Sequence, residues 1–184
     1  KRASSADATT RAPILLIHGF GQNGHAWHLP SRSFANHLAR EGYDVFNLDL
    51  RGHGRSARDG KRAESVHDYV REDLPRALKA VRALSGDRKV FVVGHSLGGI
   101  VGTAAATVVP DDVAGLVAIG SPYDFGNGSM TLTAIRSGMR AIAKSGIPLA
   151  NTSLPLNSLG PVFRRSRIMT ESLLTPVGLR AWSP

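Results

Sequence analysis

Four short apolar segments alternate with three segments of helical character along this chain. Continuous apolar runs are typical of strands buried on both faces, and strands separated by helices favour parallel pairing. The predicted strands are Pro13 to His18, Tyr43 to Asp49, Lys89 to Gly94 and Val113 to Gly120, and the predicted helices are Ser31 to Arg40, Val66 to Leu84 and Leu97 to Val109. This order predicts an α/β fold with a mainly parallel sheet flanked by helices, and any functional site at the carboxyl ends of the strands.

The composition is typical of one soluble globular core. The chain has 184 residues, of which 42% are hydrophobic, and no apolar run approaches the roughly 20 residues that cross a bilayer. The first residues, Lys1 to Arg11, contain no apolar signal core. Because there are no cysteines, disulfides, thiolate zinc sites and a cysteine nucleophile are excluded, and the compartment stays open, with a slight preference for the cytoplasm.

The net charge of +9 comes mainly from arginines scattered along the chain. Short basic clusters lie at Arg51, Arg55, Arg58, Lys61 and Arg62 and at Arg164, Arg165 and Arg167. Nucleic-acid binding would need a basic stripe interleaved with aromatic residues, which make up only 6% of this chain. We therefore expect no nucleic-acid partner, whereas attraction to an anionic lipid surface stays open.

The pattern changes after Ser121, where Gly, Pro, Asn and Ser recur and no further strand is predicted. The segment Thr131 to Lys144 has the spacing of an amphipathic helix, with one apolar face and one basic face. It fits an ordinary helix packed on the body, a cap over a site, or a basic helix at a membrane surface. We predict a core over 1–124 and a cap-like region, itself truncated, over 125–184.

The pentapeptide Gly94-His95-Ser96-Leu97-Gly98, here called the serine turn, lies between a β-branched strand and a small-residue helix. A Gly-x-Ser-x-Gly sequence in that setting is typical of a nucleophile elbow. Glycine is needed two residues before and after the serine because larger side chains would collide in so tight a turn. Ser96 is therefore the candidate nucleophile, and Gly94, His95 and Gly98 form the elbow around it.

A second glycine-rich segment, His18 to Gly24, follows the first predicted strand and is here called the glycine loop. It matches the Gly-x-Gly-x-x-Gly dinucleotide fingerprint, but helical spacing does not begin within the loop as that fingerprint requires. The alternative is an oxyanion hole formed by the backbone N–H groups of Phe20 and Leu97. In that interpretation Gly19 and Gly21, with His18, line the substrate pocket.

The third motif, Asp49 to Ser56, is a strand end followed by a glycine-punctuated turn. Asp49 and Arg51 are expected to brace this turn through hydrogen bonds and an ion pair. A catalytic role for His53 is the less favoured alternative.

In this order and at these spacings, the three motifs resemble those of the α/β-hydrolase fold over residues 13 to about 124. The resemblance implies a Ser-His-Asp hydrolase of esterase or lipase type. Epoxide hydrolases and dehalogenases of this fold carry Asp at the nucleophile position, so Ser96 argues against both. Members also usually begin with two strands before the one at Pro13, for which Lys1 to Ala12 is too short.

The catalytic base is the main departure from the family pattern. The family order is nucleophile, acid, histidine, whereas all seven histidines, at 18, 25, 28, 37, 53, 67 and 95, precede or adjoin Ser96. We expect the base in sequence beyond Pro184. Asp124 is at a place where some lipases of this fold carry the acid, and His18 is a conceivable base, although a structural role is favoured. His25 and His28 lack a third ligand, so no metal is predicted.

These observations predict a serine hydrolase that cleaves a small-molecule carboxylic ester through an acyl-enzyme on Ser96, without a cofactor. The alternative from another class is a non-catalytic fragment or half-domain that associates with a partner chain through an incomplete sheet. A nicotinamide dinucleotide-binding protein is the less favoured third interpretation.

Overall fold

The computed structural model describes residues 2–3, 11–29, 32–121 and 137. Its sheet has the order β1-β3-β2-β4-β5, formed by strands Arg2–Ala3 (β1), Arg11–Ile17 (β2), Tyr43–Leu48 (β3), Val90–His95 (β4) and Val113–Ile119 (β5). Strands β2 to β5 are parallel, and β1 pairs antiparallel with β3. The four predicted strands are therefore confirmed within a residue or two at each end. The two-residue strand β1 was not predicted, because its pairing needs no apolar pattern.

The helices are Phe34–Arg40 (α1), Val66–Asp68 (α2), Leu74–Leu84 (α3) and Leu97–Val108 (α4). Helix α1 begins three residues later than predicted, because the Ser33 side chain accepts a hydrogen bond from the Asn36 N–H at 3.0 Å and caps the helix there. Short 3₁₀ helices at Gly24–Trp27 and Gly54–Asp59 were not predicted.

The predicted helix over 66–84 is interrupted by a π-helical segment, Tyr69–Asp73, between α2 and α3. Pro75, the second residue of α3, has no N–H to donate to the carbonyl of Arg71 four residues earlier. A local widening to π geometry accommodates a missing hydrogen bond of this kind. The predicted helical segment is therefore confirmed from Val66 to Leu84, and the π geometry within it was not predicted.

The sheet has a hydrophobic cluster on each face. Helices α3 and α4 cover one face, where Leu15, Ile17 and Val92 pack against the buried Leu74, Leu78 and Val101. Helix α1 and Trp27 cover the other face, over Ile14, Leu16, Val45 and Val93. This arrangement confirms an α/β fold and brings the carboxyl ends of β2, β3 and β4 to one edge. The predicted boundary between core and cap-like region at 124 lies outside the described residues, so it stays a prediction.

Candidate active site

The serine turn joins the end of β4 directly to α4. Ser96 has φ 49° and ψ −114°, a left-handed conformation that is costly for a residue with a side chain. Its N–H donates to the Ile119 carbonyl on β5 at 2.9 Å, and its carbonyl accepts from the Gly99 N–H at 3.0 Å. Backbone contacts on both sides thus hold Ser96 at the tip between strand and helix, in the setting that the nucleophile prediction requires. Its role as nucleophile stays a prediction.

Glycine is needed on both sides of Ser96 because the backbone packs against itself. A Cβ on Gly94 would overlap backbone atoms of Gly98 and Gly99, and a Cβ on Gly98 would lie 2.7 Å from the His18 carbonyl oxygen. Backbone atoms cannot move aside as a flexible side chain can. The serine turn is therefore pressed against the end of β2, where the glycine loop begins.

The glycine loop makes a tight turn at the carboxyl end of β2. The Gln22 N–H donates to the Gly19 carbonyl at 3.1 Å, and Gly21 has φ 66°. A positive φ at the third position of a four-residue turn favours glycine. The Phe20 side chain is 63% exposed. The loop then enters the first 3₁₀ helix, where the Asn23 side chain accepts from the His25 N–H at 3.0 Å.

The two N–H groups predicted to form an oxyanion hole lie on the two turns that meet here. Leu97 begins α4, and the N–H groups of a first helical turn have no acceptor within the helix. In the part of the chain that the structure describes, neither the Phe20 nor the Leu97 N–H donates to a protein acceptor. An oxyanion hole requires N–H groups that the fold does not use in this way, and the assignment of these two stays a prediction.

His18 is the first residue of the glycine loop and has no accessible surface. Its Nε2 accepts from the Leu50 N–H at 3.0 Å, so the neutral ring carries its proton on Nδ1, which donates to the Gly19 carbonyl at 2.8 Å. Burial lowers the pKa of His18 to about 4. Both ring nitrogens are engaged and the ring resists protonation, so His18 connects β2 to the segment after β3. We assign it to loop support rather than to the pocket or to the role of base.

Asp49 braces two turns at once. One carboxylate oxygen accepts from the Gly24 N–H at 2.6 Å and the other from the Arg55 N–H at 3.0 Å. Its backbone carbonyl accepts from the Ser56 hydroxyl at 2.8 Å. The predicted bracing by Asp49 is confirmed, and it extends to the glycine loop, which the sequence did not indicate.

Arg51 forms its ion pairs with the π-helical segment rather than within its own turn. Its guanidinium donates to Asp73 at 2.6 Å and to Glu72 at 2.8 Å. These hydrogen bonds raise the pKa of Arg51 and lower the pKa of Glu72. Arg51 therefore holds the turn after β3 against the segment that joins α2 to α3.

His53 is engaged in packing and a backbone hydrogen bond. Its Nδ1 lies 3.0 Å from the Arg51 carbonyl oxygen, and its ring centroid lies 5.1 Å from that of His18. The Tyr69 ring is 6.4 Å away on the other side. These contacts are those of a residue that supports the turn, which was favoured over a catalytic role for His53.

The contact that the sequence analysis missed is between Gln22 and the serine turn. The Gln22 side chain is 5% exposed, and its Oε1 accepts from the Gly19 N–H at 3.0 Å and from the His95 ring Nδ1 at 3.1 Å. Burial lowers the pKa of His95. Nothing in the sequence marks Gln22, because a polar residue in a glycine-rich loop is ordinarily exposed.

Asp124 lies outside the described residues. Among the described residues, no group of three or more His, Asp or Glu side chains could hold a metal ion, and no helix is long and apolar enough to cross a membrane. After the glycine loop, the described chain forms only a four-residue 3₁₀ helix before α1, which does not match the helix that a dinucleotide fingerprint requires.

Comparison with known proteins identifies the family. A family model described as alpha/beta hydrolase fold matches residues 12–145. This match covers most of the chain, so the chain belongs to the α/β-hydrolase family, as its three motifs predicted. The chain is 33% identical over 108 residues to the pimeloyl-[acyl-carrier protein] methyl ester esterase of Aliivibrio fischeri (strain MJ11), a match that covers 59% of this chain and 36% of the relative.

Two further matches show the range of the family. Epoxide hydrolase B of Mycobacterium tuberculosis (strain ATCC 25618 / H37Rv) is 34% identical over 110 residues, which cover 60% of this chain and 29% of that enzyme. A carboxylesterase structure from Nitrososphaera gargenis aligns with TM-score 0.58 and 24% identity over 79% of this chain and 48% of that chain. The chain spans less than half of these proteins, which are hydrolases, and the structural likeness shows the fold.

Proposed function

We propose that this chain carries the nucleophile and oxyanion-binding half of a serine hydrolase that cleaves a carboxylic ester. The observation that carries the proposal is the conformation of Ser96, which is held at φ 49° between a strand and a helix. Proteins keep a non-glycine residue in so costly a conformation mainly at functional sites. The esterase relative supports an ester substrate, and Ser96 favours an ester over an epoxide.

The proposed reaction begins when Ser96 Oγ attacks the ester carbonyl carbon. The Oγ proton passes to a general base and then to the leaving alcohol, the C–O bond to that alcohol breaks, and the acyl group stays on Oγ until water removes it as a carboxylic acid. The negative oxygen of the tetrahedral intermediate accepts hydrogen bonds from the Phe20 and Leu97 N–H groups. His18 is unsuited to the role of base, because both its ring nitrogens already hold the backbone.

The two N–H groups suit this role because their turns are held by backbone hydrogen bonds and touch each other. Gly98 of the serine turn packs against the His18 carbonyl, where the glycine loop begins. Donors fixed in advance stabilise a developing charge without the cost of reorganising during the reaction. This contact between the two turns supports acyl transfer over dinucleotide binding, which would leave Ser96 without a role.

The experiment is an intact-mass measurement before and after treatment with a fluorophosphonate. In this reaction Ser96 Oγ forms a bond to phosphorus, fluoride leaves, and the Oγ proton goes to imidazole in the buffer, which is added to supply the base that His18 cannot. We expect one adduct on the 19.6 kDa chain, located on Ser96 by peptide mapping.

Two variants serve as controls for the labelling. Ser96→Ala removes the nucleophile and should abolish the adduct. Ser121→Ala removes a nearby hydroxyl that donates to the Ile119 carbonyl, and it should leave labelling intact. A wild-type chain that gains no adduct would overturn the proposal for this chain and favour the non-catalytic alternative.

A further inference from the structure

The buried Gln22 amide forms a bridge between the two turns of the candidate active site. Its Oε1 accepts from the Gly19 N–H at 3.0 Å, within the glycine loop, and from His95 Nδ1 at 3.1 Å, within the serine turn. The side chain is only 5% exposed, so water competes little for these hydrogen bonds. Gln22 Oε1 therefore connects Gly19, the residue before Phe20, to His95, the residue before Ser96.

The chemistry of the groups fixes the direction of both hydrogen bonds. A backbone N–H can only donate, so the oxygen and not the nitrogen of the Gln22 amide faces Gly19. Since that oxygen can only accept, the His95 ring must donate from Nδ1. Burial lowers the pKa of His95, which favours the neutral ring. In that neutral ring Nδ1 carries the proton and Nε2 does not.

The bridge is tightly packed as well as hydrogen-bonded. A Cβ on Gly19 would lie 2.8 Å from Gln22 Oε1, 2.9 Å from His95 Nδ1 and 3.3 Å from the Ser96 Cβ. Gly19, Gln22 and His95 thus meet at one point directly beside Ser96. Any change in the Gln22 side chain alters the spacing between the loop that bears the Phe20 N–H and the turn that bears the Leu97 N–H.

We infer that Gln22 is a positioning residue, which sets the separation of the Phe20 and Leu97 N–H groups through its hydrogen bonds to Gly19 and His95. This inference rests on the proposed function, because the two N–H groups matter to catalysis only if they bind an oxyanion. Gln22 itself does not touch the reacting atoms. Loss of the Gln22 amide destabilises the tetrahedral intermediate because it misplaces the N–H groups of Phe20 and Leu97, although it removes neither.

The first measurement is the rate of fluorophosphonate labelling in four proteins: wild type, Gln22→Met, His95→Phe and the double variant. Methionine keeps the length and burial of Gln22 but lacks the acceptor. We expect the maximal labelling rate to fall about tenfold to a hundredfold in each single variant, since a misplacement near 1 Å costs about a hundredfold. The inhibitor concentration at half-maximal rate should change less than twofold, because the pocket is intact.

The double variant distinguishes a bridge from two independent effects. If Gln22 acts through His95, the double variant labels no more slowly than the slower single variant. Ser33→Ala is the matched control, since it removes a helix-capping hydroxyl from α1 and should leave labelling unchanged while lowering stability. A labelling rate in Gln22→Met equal to that of wild type would overturn the inference. So would a double variant whose fold-loss in labelling rate equals the product of the two single-variant fold-losses.

The second measurement needs no enzyme activity. Nitrogen-15 NMR of the histidine rings, with the His95 signal assigned from His95→Phe, reports which ring nitrogen carries the proton. We expect the Nδ1–H tautomer in wild type and a shift towards Nε2–H in Gln22→Met. An Nε2–H tautomer in wild type would overturn the bridge. If wild type does not label at all, the proposed function fails, and this spectrum alone decides whether the bridge exists.

Discussion

The serine turn and the glycine loop meet at one edge of the sheet but are held in place by different forces. The serine turn is fixed by backbone packed on backbone, since Gly94 and Gly98 leave no space for a Cβ. The glycine loop is fixed by side-chain hydrogen bonds from two of its own residues, His18 and Gln22, and from Asp49, which follows β3. A turn fixed by sterics is encoded in its own glycines, whereas a turn fixed by side chains depends on distant partners.

The largest expected effect is at Gly98, where alanine tests the steric part of this comparison. The new Cβ would lie 2.7 Å from the His18 carbonyl oxygen and would overlap that of Ile17. Because backbone must shift, we expect a loss of about 3 kcal/mol or more in the free energy of unfolding, measured in urea.

Gly86→Ala is the matched control for Gly98→Ala. Gly86 also resists alanine, but only through its φ of 71°, because nothing lies within 4 Å of its Cβ position. Its cost should be near 1 kcal/mol. If Gly98→Ala costs no more than Gly86→Ala, steric packing does not hold the serine turn.

The next largest effect is a pH dependence that arises from the buried His18 at the start of the glycine loop. Burial lowers the pKa of His18 from 6.5 to about 4, so the unfolded chain binds a proton at a higher pH than the folded chain. The contribution of neutral His18 to the free energy of unfolding is fully present above pH 6.5. As the pH falls to 4, this contribution is lost, which lowers the free energy of unfolding by about 3 kcal/mol in total. His18→Gln, which does not titrate, should flatten the curve of unfolding free energy between these values; identical slopes would contradict the prediction.

Asp49→Ala tests the brace that the glycine loop shares with the turn after β3. The substitution leaves the N–H groups of Gly24 and Arg55 without their carboxylate acceptor. Two such losses at a half-buried site should cost about 2 kcal/mol, measured by chemical denaturation. Asp49→Asn keeps one acceptor oxygen and should cost less than Asp49→Ala. Equal costs would contradict this prediction, because the hydrogen bond that Asp49→Asn retains would then contribute nothing.

The smallest expected effect is at Gly19, where alanine meets side chains and not backbone. Its Cβ would approach Gln22 Oε1 and His95 Nδ1, which can both move. We expect a stability loss of about 1 kcal/mol, smaller than at Gly98, because side chains relax where backbone cannot. A loss as large as that of Gly98→Ala, measured under the same conditions, would remove the distinction between the two turns.

The predictions from the sequence succeeded where the signal is local. Val90 to Val93 is a continuous β-branched and aromatic run, so β4 was predicted within one residue at each end. The glycine spacing around Ser96 likewise indicated the turn that the structure contains. By contrast, the bridge from Gln22 to His95 was missed, because it depends on a partner outside its own segment.

The sequence by itself determined the order of strands and helices, the parallel sheet and the serine turn, because apolar periodicity and glycine sterics act over a few residues. Only the tertiary structure decided which distant partners the polar side chains bind. His18, Gln22 and Asp49 became supports of the glycine loop once the carboxyl ends of β2, β3 and β4 were brought to one edge. The physical reason is that a hydrogen bond across 32 or 73 residues leaves no local pattern in the chain.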